Sequence, residues 1–470
     1  MAKKSTAILV GIALALSLGV AIIELGPRRQ QQALIEAQKR LFDVETDDIT
    51  NLTLTANNDT FQLARADNTW RLQQPIQTEA EDLAVNNLLT AIASLESQTK
   101  LTEKPTNLAE FGLDASAQTI AFATSAGDRH SLKLGNDTFD SAGTYVQIDD
   151  GNVAIVSAAA KDGLQPALFD LRAKSLMATS QSDIQSLTIA TPTGESTPEI
   201  ELVADGNQWK ISQPRALIAD SSTVSTLFSQ LTFLQATDIL DTPNSDLSIY
   251  GLDEPEVTFL AELKSGEPPV NLIIGRSEDG NLYVQSSHLT AITEGSDPIA
   301  AIAPTSLDSI PTDLFALRDK SLGDIVPTLI GKVEIDSPDA ELKRTLTLVE
   351  TDSTDTSEAL WAVSDQSNRQ VSLDAIFEPI TTARATAFIE ASAPDARALD
   401  QPKFTLKLFP NEGVERESLE LTFATEGDRL LVRSSDRADI LVLAPELLAG
   451  LETAIVALKP SNNQKSDDQS

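Results

Sequence analysis

One long pattern occurs twice in this chain, about 139 residues apart, and that repetition restricts the fold to tandem copies of a single unit. Trp70 is matched by Trp209, Val85 by Val224 and Phe111 by Tyr250, each at that separation. Leu134-Gly135 is matched by Ile274-Gly275, and Tyr145-Val146 by Tyr283-Val284, within a residue of it. Each copy closes on the same string: Leu168-Phe-Asp-Leu-Arg-Ala-Lys-Ser-Leu176 and Leu314-Phe-Ala-Leu-Arg-Asp-Lys-Ser-Leu322 agree at seven of nine positions.

Within a copy the hydrophobic period changes from two to 3.6. Ile49-Thr-Asn-Leu-Thr-Leu54, Thr60-Phe-Gln-Leu63 and Thr69-Trp-Arg-Leu72 alternate as half-buried strands do. Thr78-Glu-Ala-Glu81 then has capping-box spacing, and Val85, Leu88, Leu89, Ile92 and Leu95 recur on one helix face. After Phe111-Gly-Leu-Asp114 the strand pattern resumes through Val153-Ala-Ile-Val156. The second copy repeats this order, with Val224, Leu227, Phe228, Leu231 and Leu234 on its helix face. A degraded third copy follows, in which Trp361 stands where Trp70 and Trp209 stood and Leu430 to Ser435 parallels Leu282 to Ser287. Pro379 falls inside its helix and is expected to break or kink it.

The predicted fold is α+β: tandem repeats of antiparallel strands with one amphipathic helix each, after an N-terminal transmembrane helix. The repeats span 41–178, 179–322 and, degenerate, 323–459, with a polar disordered tail over 460–470. Ser5 to Ile23 carries no charge and as a helix would be about 28 Å long, close to the hydrocarbon thickness. No small-x-small cleavage site follows, so residues 1–29 read as a retained signal anchor and 30–40 as a juxtamembrane segment. Lys3 and Lys4 favour an N-in orientation against the opposing Arg28 and Arg29. The expected location is therefore the cytoplasmic (inner) membrane, single-pass through residues 5–23 of the lipid bilayer, with the body on the extracytoplasmic side.

A net charge of −35 repels phosphate backbones and argues against nucleic acid as a partner. The absence of cysteine excludes disulfides, thiolate metal sites and cysteine nucleophiles. His130 and His288 occupy non-equivalent places and have no metal-ligand spacing around them. Asp149-Asp-Gly-Asn152 and Glu278-Asp-Gly-Asn281 read as tight turns beside strands, lacking the ligand pattern of a calcium loop. No phosphate-binding glycine loop, G-x-S-x-G or H-E-x-x-H is present. No catalytic, cofactor-binding or metal residue is assigned, and no cofactor is expected.

The recurring residues read as structural landmarks. Trp70 and Trp209 are core anchors between sheet and helix. Gly112 and Gly251 permit the turn that joins helix to sheet, Asp114 and Asp253 can bond their own backbone nearby, and Pro255 fixes the start of the next strand. Arg172 and Arg318 belong to the closing string, which is expected to dock one unit onto the next. Its Phe and Leu residues would be buried and its cations would meet acidic neighbours.

Trp209 to Pro214, the one-sided helix Val224 to Leu234, Tyr250 to Pro255, Ile274-Gly275, Tyr283-Val284 and Leu317 to Leu322 resemble a bacterial family, domain of unknown function family 4340. The resemblance covers roughly 41–322 well and the remainder weakly. The first copy departs from it at Phe111, in place of Tyr, and at Ser116, in place of Pro. The family carries no established activity or catalytic residues. Its association with membrane components of ABC-type transporters implies an extracytoplasmic accessory subunit. The expected function is thus a non-enzymatic, membrane-anchored binding or scaffolding protein with an envelope protein partner, such as an ABC-type transporter subunit. The alternatives are an extracytoplasmic carboxylate-dependent hydrolase and a cell-wall polysaccharide binder using exposed aromatics.

Overall fold

A computed structural model describes residues 39–56, 59–101, 105, 107–191, 199–206, 208–292, 296–349, 360–364 and 370–458. Its dominant feature is antiparallel pairing in three nine-stranded sheets of identical order. From edge to edge the first sheet runs Thr78–Glu79, Thr69–Gln74, Asp59–Ala66, Ile49–Ala56, Gln118–Thr124, Arg129–Asp137, Gly143–Ile148, Val153–Ser157 and Thr99–Lys100. The second begins at Leu217–Ile218 and finishes at Asp238–Leu240, and the third begins at Gln370–Val371 and finishes at Ala387–Ile389, through strands in the same order. Even an irregularity recurs, because the first strand of each sheet bulges at its second residue, Thr50, Gln185 or Gly331.

The chain falls into two compact units. One comprises Met1–Ala178, Leu231–Glu256 and Val270–Asp308; the other comprises Thr179–Gln230, Val257–Pro269 and Ser309–Ser470. In the first unit, helix Asp82–Ala93 lays Val85, Leu88, Leu89 and Ile92 into a core with Leu52, Leu63, Trp70 and Leu132. In the second, Asp374–Thr382 and Glu446–Ala457 supply Ile376, Phe377, Ile380, Leu451 and Ile455 to a core with Val333, Trp361 and Phe423.

This is a mostly antiparallel-sheet fold, which corrects the α+β expectation of one helix per repeat. Among the described residues the first copy carries three helices, Asp82–Ala93, Ala158–Asp162 and Leu168–Leu171, and the third carries two. Only the long helix has enough turns to show a 3.6-residue period, and strands as short as Thr78–Glu79 and Thr99–Lys100 cannot show alternation. Thr78 accordingly is no helix cap. It lies in an edge strand, and the helix starts at Asp82 after Glu81. Pro379 does not break its helix, which runs from Asp374 to Thr382 with the proline inside.

Among the described residues no helix is long and apolar enough to cross a membrane. The longest have 12 residues, about 18 Å of rise against the roughly 30 Å of a hydrocarbon core. The run Ser5 to Ile23 lies outside the described residues, as does the tail expected over 460–470. With no membrane-crossing helix among the described residues, the transmembrane anchor and the inner-membrane location with its N-in orientation are withdrawn.

Candidate functional site

The landmarks spread along the sequence meet in space. Leu247–Tyr250 is a 3-10 turn closed by Gly251 at φ 66°, and Leu108–Phe111 is closed by Gly112 at φ 69°. A β-carbon on Gly251 would collide with the backbone of Arg276, and one on Gly275 with the Gly251 carbonyl. In the first copy Gly112 lies against Asn136, and Gly135 against the Phe111 carbonyl. The aromatic ring of the turn meets the ring of the neighbouring strand edge-on, Tyr250 to Tyr283 at 5.0 Å and Phe111 to Tyr145 at 4.8 Å. In the third copy Ala396 and Leu399 of the turn Pro394–Asp400 pack with Ala424 and Leu431, and these two strand residues occupy the places of Gly275 and Tyr283.

The turn carboxylates differ. Asp114 accepts from the Ser116 hydroxyl at 2.6 Å and the Ser116 amide at 2.9 Å, and these bonds hold its carboxyl below the usual range. At Asp253 the residue two further on is Pro255, which has no N–H, so that bond cannot form. Beyond Pro255, the Glu256 amide donates to the Ile274 carbonyl at 2.8 Å and its carboxylate takes Arg276 Nε at 2.6 Å. Trp70, Trp209 and Trp361 are all buried, and Trp209 and Trp361 lie against Phe228 and Phe377 of their helices.

The closing strings form ties. In the first unit the Ala173 amide donates to the Glu79 carbonyl, while the Ala236 amide donates to the Lys174 carbonyl beside Asp238–Leu240, so the string joins the first edge of one sheet to the last edge of the next. In the second unit Asp319 donates to the Ile218 carbonyl and Ala385 to the Lys320 carbonyl in the same way. Arg172, buried, donates to Asp241 at 2.7 Å and to the Thr290 carbonyl at 3.0 Å. Arg318, also buried, pairs with Asp439 and stacks on Phe388 at 3.3 Å. The expectation of buried phenylalanines is corrected: Phe315 is exposed and Phe169 half-buried. They serve instead as platforms for Lys320 and Lys174, at 5.1 and 4.8 Å.

Around Arg318 the second unit opens a cavity of about 590 Å³. Val203 and Ile218 of the sheet face it, with Arg215 and the turn Asp436 to Asp439. Arg215 reaches Asp439 at 2.8 Å, so two guanidiniums share this one carboxylate. Arg437 in turn reaches Asp319 at 2.7 Å and Asp436 at 3.3 Å. Burial pushes the Asp319 carboxyl up, but hydrogen bonds from Ser321 and Arg437 outweigh it and leave the pKa below its ordinary value. Burial lowers the Arg318 pKa, Asp439 raises it, and the neighbouring Arg215 and Arg437 lower it further. Sequence reasoning missed Arg215, Arg437 and Asp439. The available signal was Arg215 itself, which stands after Pro214 where the first copy has buried Ile76 after Pro75.

No curated protein matches the chain. Among solved structures, a candidate DNA polymerase III beta subunit from Eubacterium rectale ATCC 33656 is similar at 6% identity and a TM-score of 0.16, covering 87% of this chain and 94% of that one. The DNA polymerase sliding clamp from Pseudomonas aeruginosa is similar at 9% identity and a TM-score of 0.14, covering 87% and 95%. At such scores neither likeness bears on fold or function. The family described as Domain of unknown function (DUF4340) matches residues 70–208 and 209–402. With residues 70–402 matched, well over half of its length, the chain belongs to the DUF4340 family.

Proposed function

We propose that this protein is a non-enzymatic binding or scaffolding protein whose partner is another protein. The observation that carries this reading is the tie built twice, with Arg172 on Asp241 and Arg318 on Asp439. Buried ion pairs contribute little net stability but can fix register, which suits a chain that must hold a surface in shape. The net charge of −35 favours a partner with a basic face. Asp319, a carboxylate lining the cavity, is held below its ordinary value by its hydrogen bonds, the opposite of what a general acid requires. Buried tryptophans present no ring face to a sugar. On the association of the family alone, the partner proposed is a subunit of an ABC-type transporter complex.

Crosslinking of the full chain in cells, followed by purification under denaturing conditions, tests this. One reproducible protein partner is expected, with weaker capture by a folded charge-reversal variant of the acidic surface. Recovery of no partner with the intact chain overturns the reading.

A further inference from the structure

Arg215 and the cavity beside it have features that scaffolding does not require. The first copy folds with Ile76 at the equivalent place, buried in the core, so the unit itself does not call for an arginine. In the second copy the Arg215 side chain is instead 44% exposed and lines the cavity of about 590 Å³, a size typical of small-ligand sites. The lining holds four cations and four carboxylates, with Lys210 paired to Asp205. Arg215 and Arg318 share the single carboxylate of Asp439, while Arg437 is shared by Asp319 and Asp436. Cations therefore outnumber carboxylates around Asp439, and with Arg318 buried, Arg215 is the guanidinium that a ligand can reach. Val203, Ala216, Leu217, Ile218 and Ala438 supply an apolar wall, on which Ile218 is left 43% exposed.

We propose that this cavity binds a monoanionic amphiphile, with its carboxylate on Arg215 and its apolar body along Leu217 and Ile218. A guanidinium presents a planar fork of donors that fits a carboxylate, and the half-enclosed apolar wall strengthens the pairing relative to open water. The net charge of −35 works against any anion, so the pairing rests on the Arg215 guanidinium and the apolar wall together. A free fatty carboxylate and the C-terminus of an apolar peptide offer the same chemistry.

Calorimetric titration of the full chain separates these. Decanoate is compared with decanol and decyltrimethylammonium, and a short Leu/Val peptide is used with a free or amidated C-terminus. An anionic probe is expected to bind saturably and at least about tenfold tighter than its uncharged or cationic counterpart, the scale of one charged hydrogen-bonding partner. Arg215→Gln and Arg215→Ile should each weaken it about tenfold, and Ile218→Asp should weaken it independently of the Asp439 pair. Binding of decanoate alone identifies the fatty carboxylate, and binding of the free-ended peptide alone identifies the chain end. No saturable anion binding, equal binding of decanol, or unchanged binding by the Arg215 and Ile218 variants overturns the proposal. Absence of anion binding by a wild-type chain that still captures its protein partner would sink this proposal alone, which keeps the test separate from that of scaffolding.

Discussion

Gly251 and Gly275 lie backbone to backbone, with no room for a side chain on either. Gly251 also holds a left-handed φ of 66°, so alanine there meets both strain and collision. Gly251→Ala and Gly275→Ala should each destabilise by about 2 kcal/mol or more. Gly266→Ala, at φ 75° with open space around it, should cost only about 1 kcal/mol. Urea midpoints of the three variants decide the order.

The pair of Arg318 and Asp439 is buried on both sides. Asp439→Leu alone should cost about 3–5 kcal/mol, because it strands the buried Arg318 charge, whereas Arg318→Met should cost less, because Arg215 still pairs with Asp439. The double variant should recover most of that loss, since Arg215 can turn to solvent. A double-mutant cycle by chemical denaturation measures the coupling, and additive losses would show the tie to be unimportant.

Asp319 titrates below its ordinary range when folded, so protonation favours the unfolded chain. Its contribution is fully present above the unfolded value of about 3.9 and is lost as pH falls through the lower folded value. Stability of the wild type should therefore decline across that acid window more steeply than that of Asp319→Asn. Unfolding midpoints followed from pH 6 downward give the comparison.

All three tryptophans are buried, at 3%, 9% and 1% exposure for Trp70, Trp209 and Trp361. Their combined emission should be blue-shifted and little quenched by iodide in the folded chain. Soluble polysaccharide should leave it unchanged. A red-shifted, quenchable spectrum would reopen the reading of a ring platform for sugar.

The repetition was legible in the sequence because large residues such as Trp70 and Trp209 keep their spacing. The contact among Tyr250, Gly275 and Tyr283 was not, because it joins separate strands and turns that only the sheet order brings together. Thr78–Glu79 was misread as a helix start since two residues cannot display a strand period. The charged cluster stayed hidden for a related reason: Arg215 and Asp439 belong to different copies, so comparing copies position by position never sets them side by side.

A third connection matches the two ties. The Leu41 amide donates to the Leu95 carbonyl and the Ser97 amide to the Lys39 carbonyl, just as Leu176 donates to Leu234 and Ala236 to Lys174. In Lys39-Arg-Leu41, Lys174-Ser-Leu176 and Lys320-Ser-Leu322 the lysine carbonyl thus accepts the same backbone bond, from Ser97, Ala236 and Ala385. Such couplings make whole copies exchangeable: recombination between two Lys-x-Leu segments would lengthen or shorten the array without leaving a frayed sheet edge. The carboxylate that receives the arginine is the lock on that exchange. A spliced copy must arrive with its own Asp241 or Asp439, and one lacking it would join by backbone alone and strand a buried guanidinium.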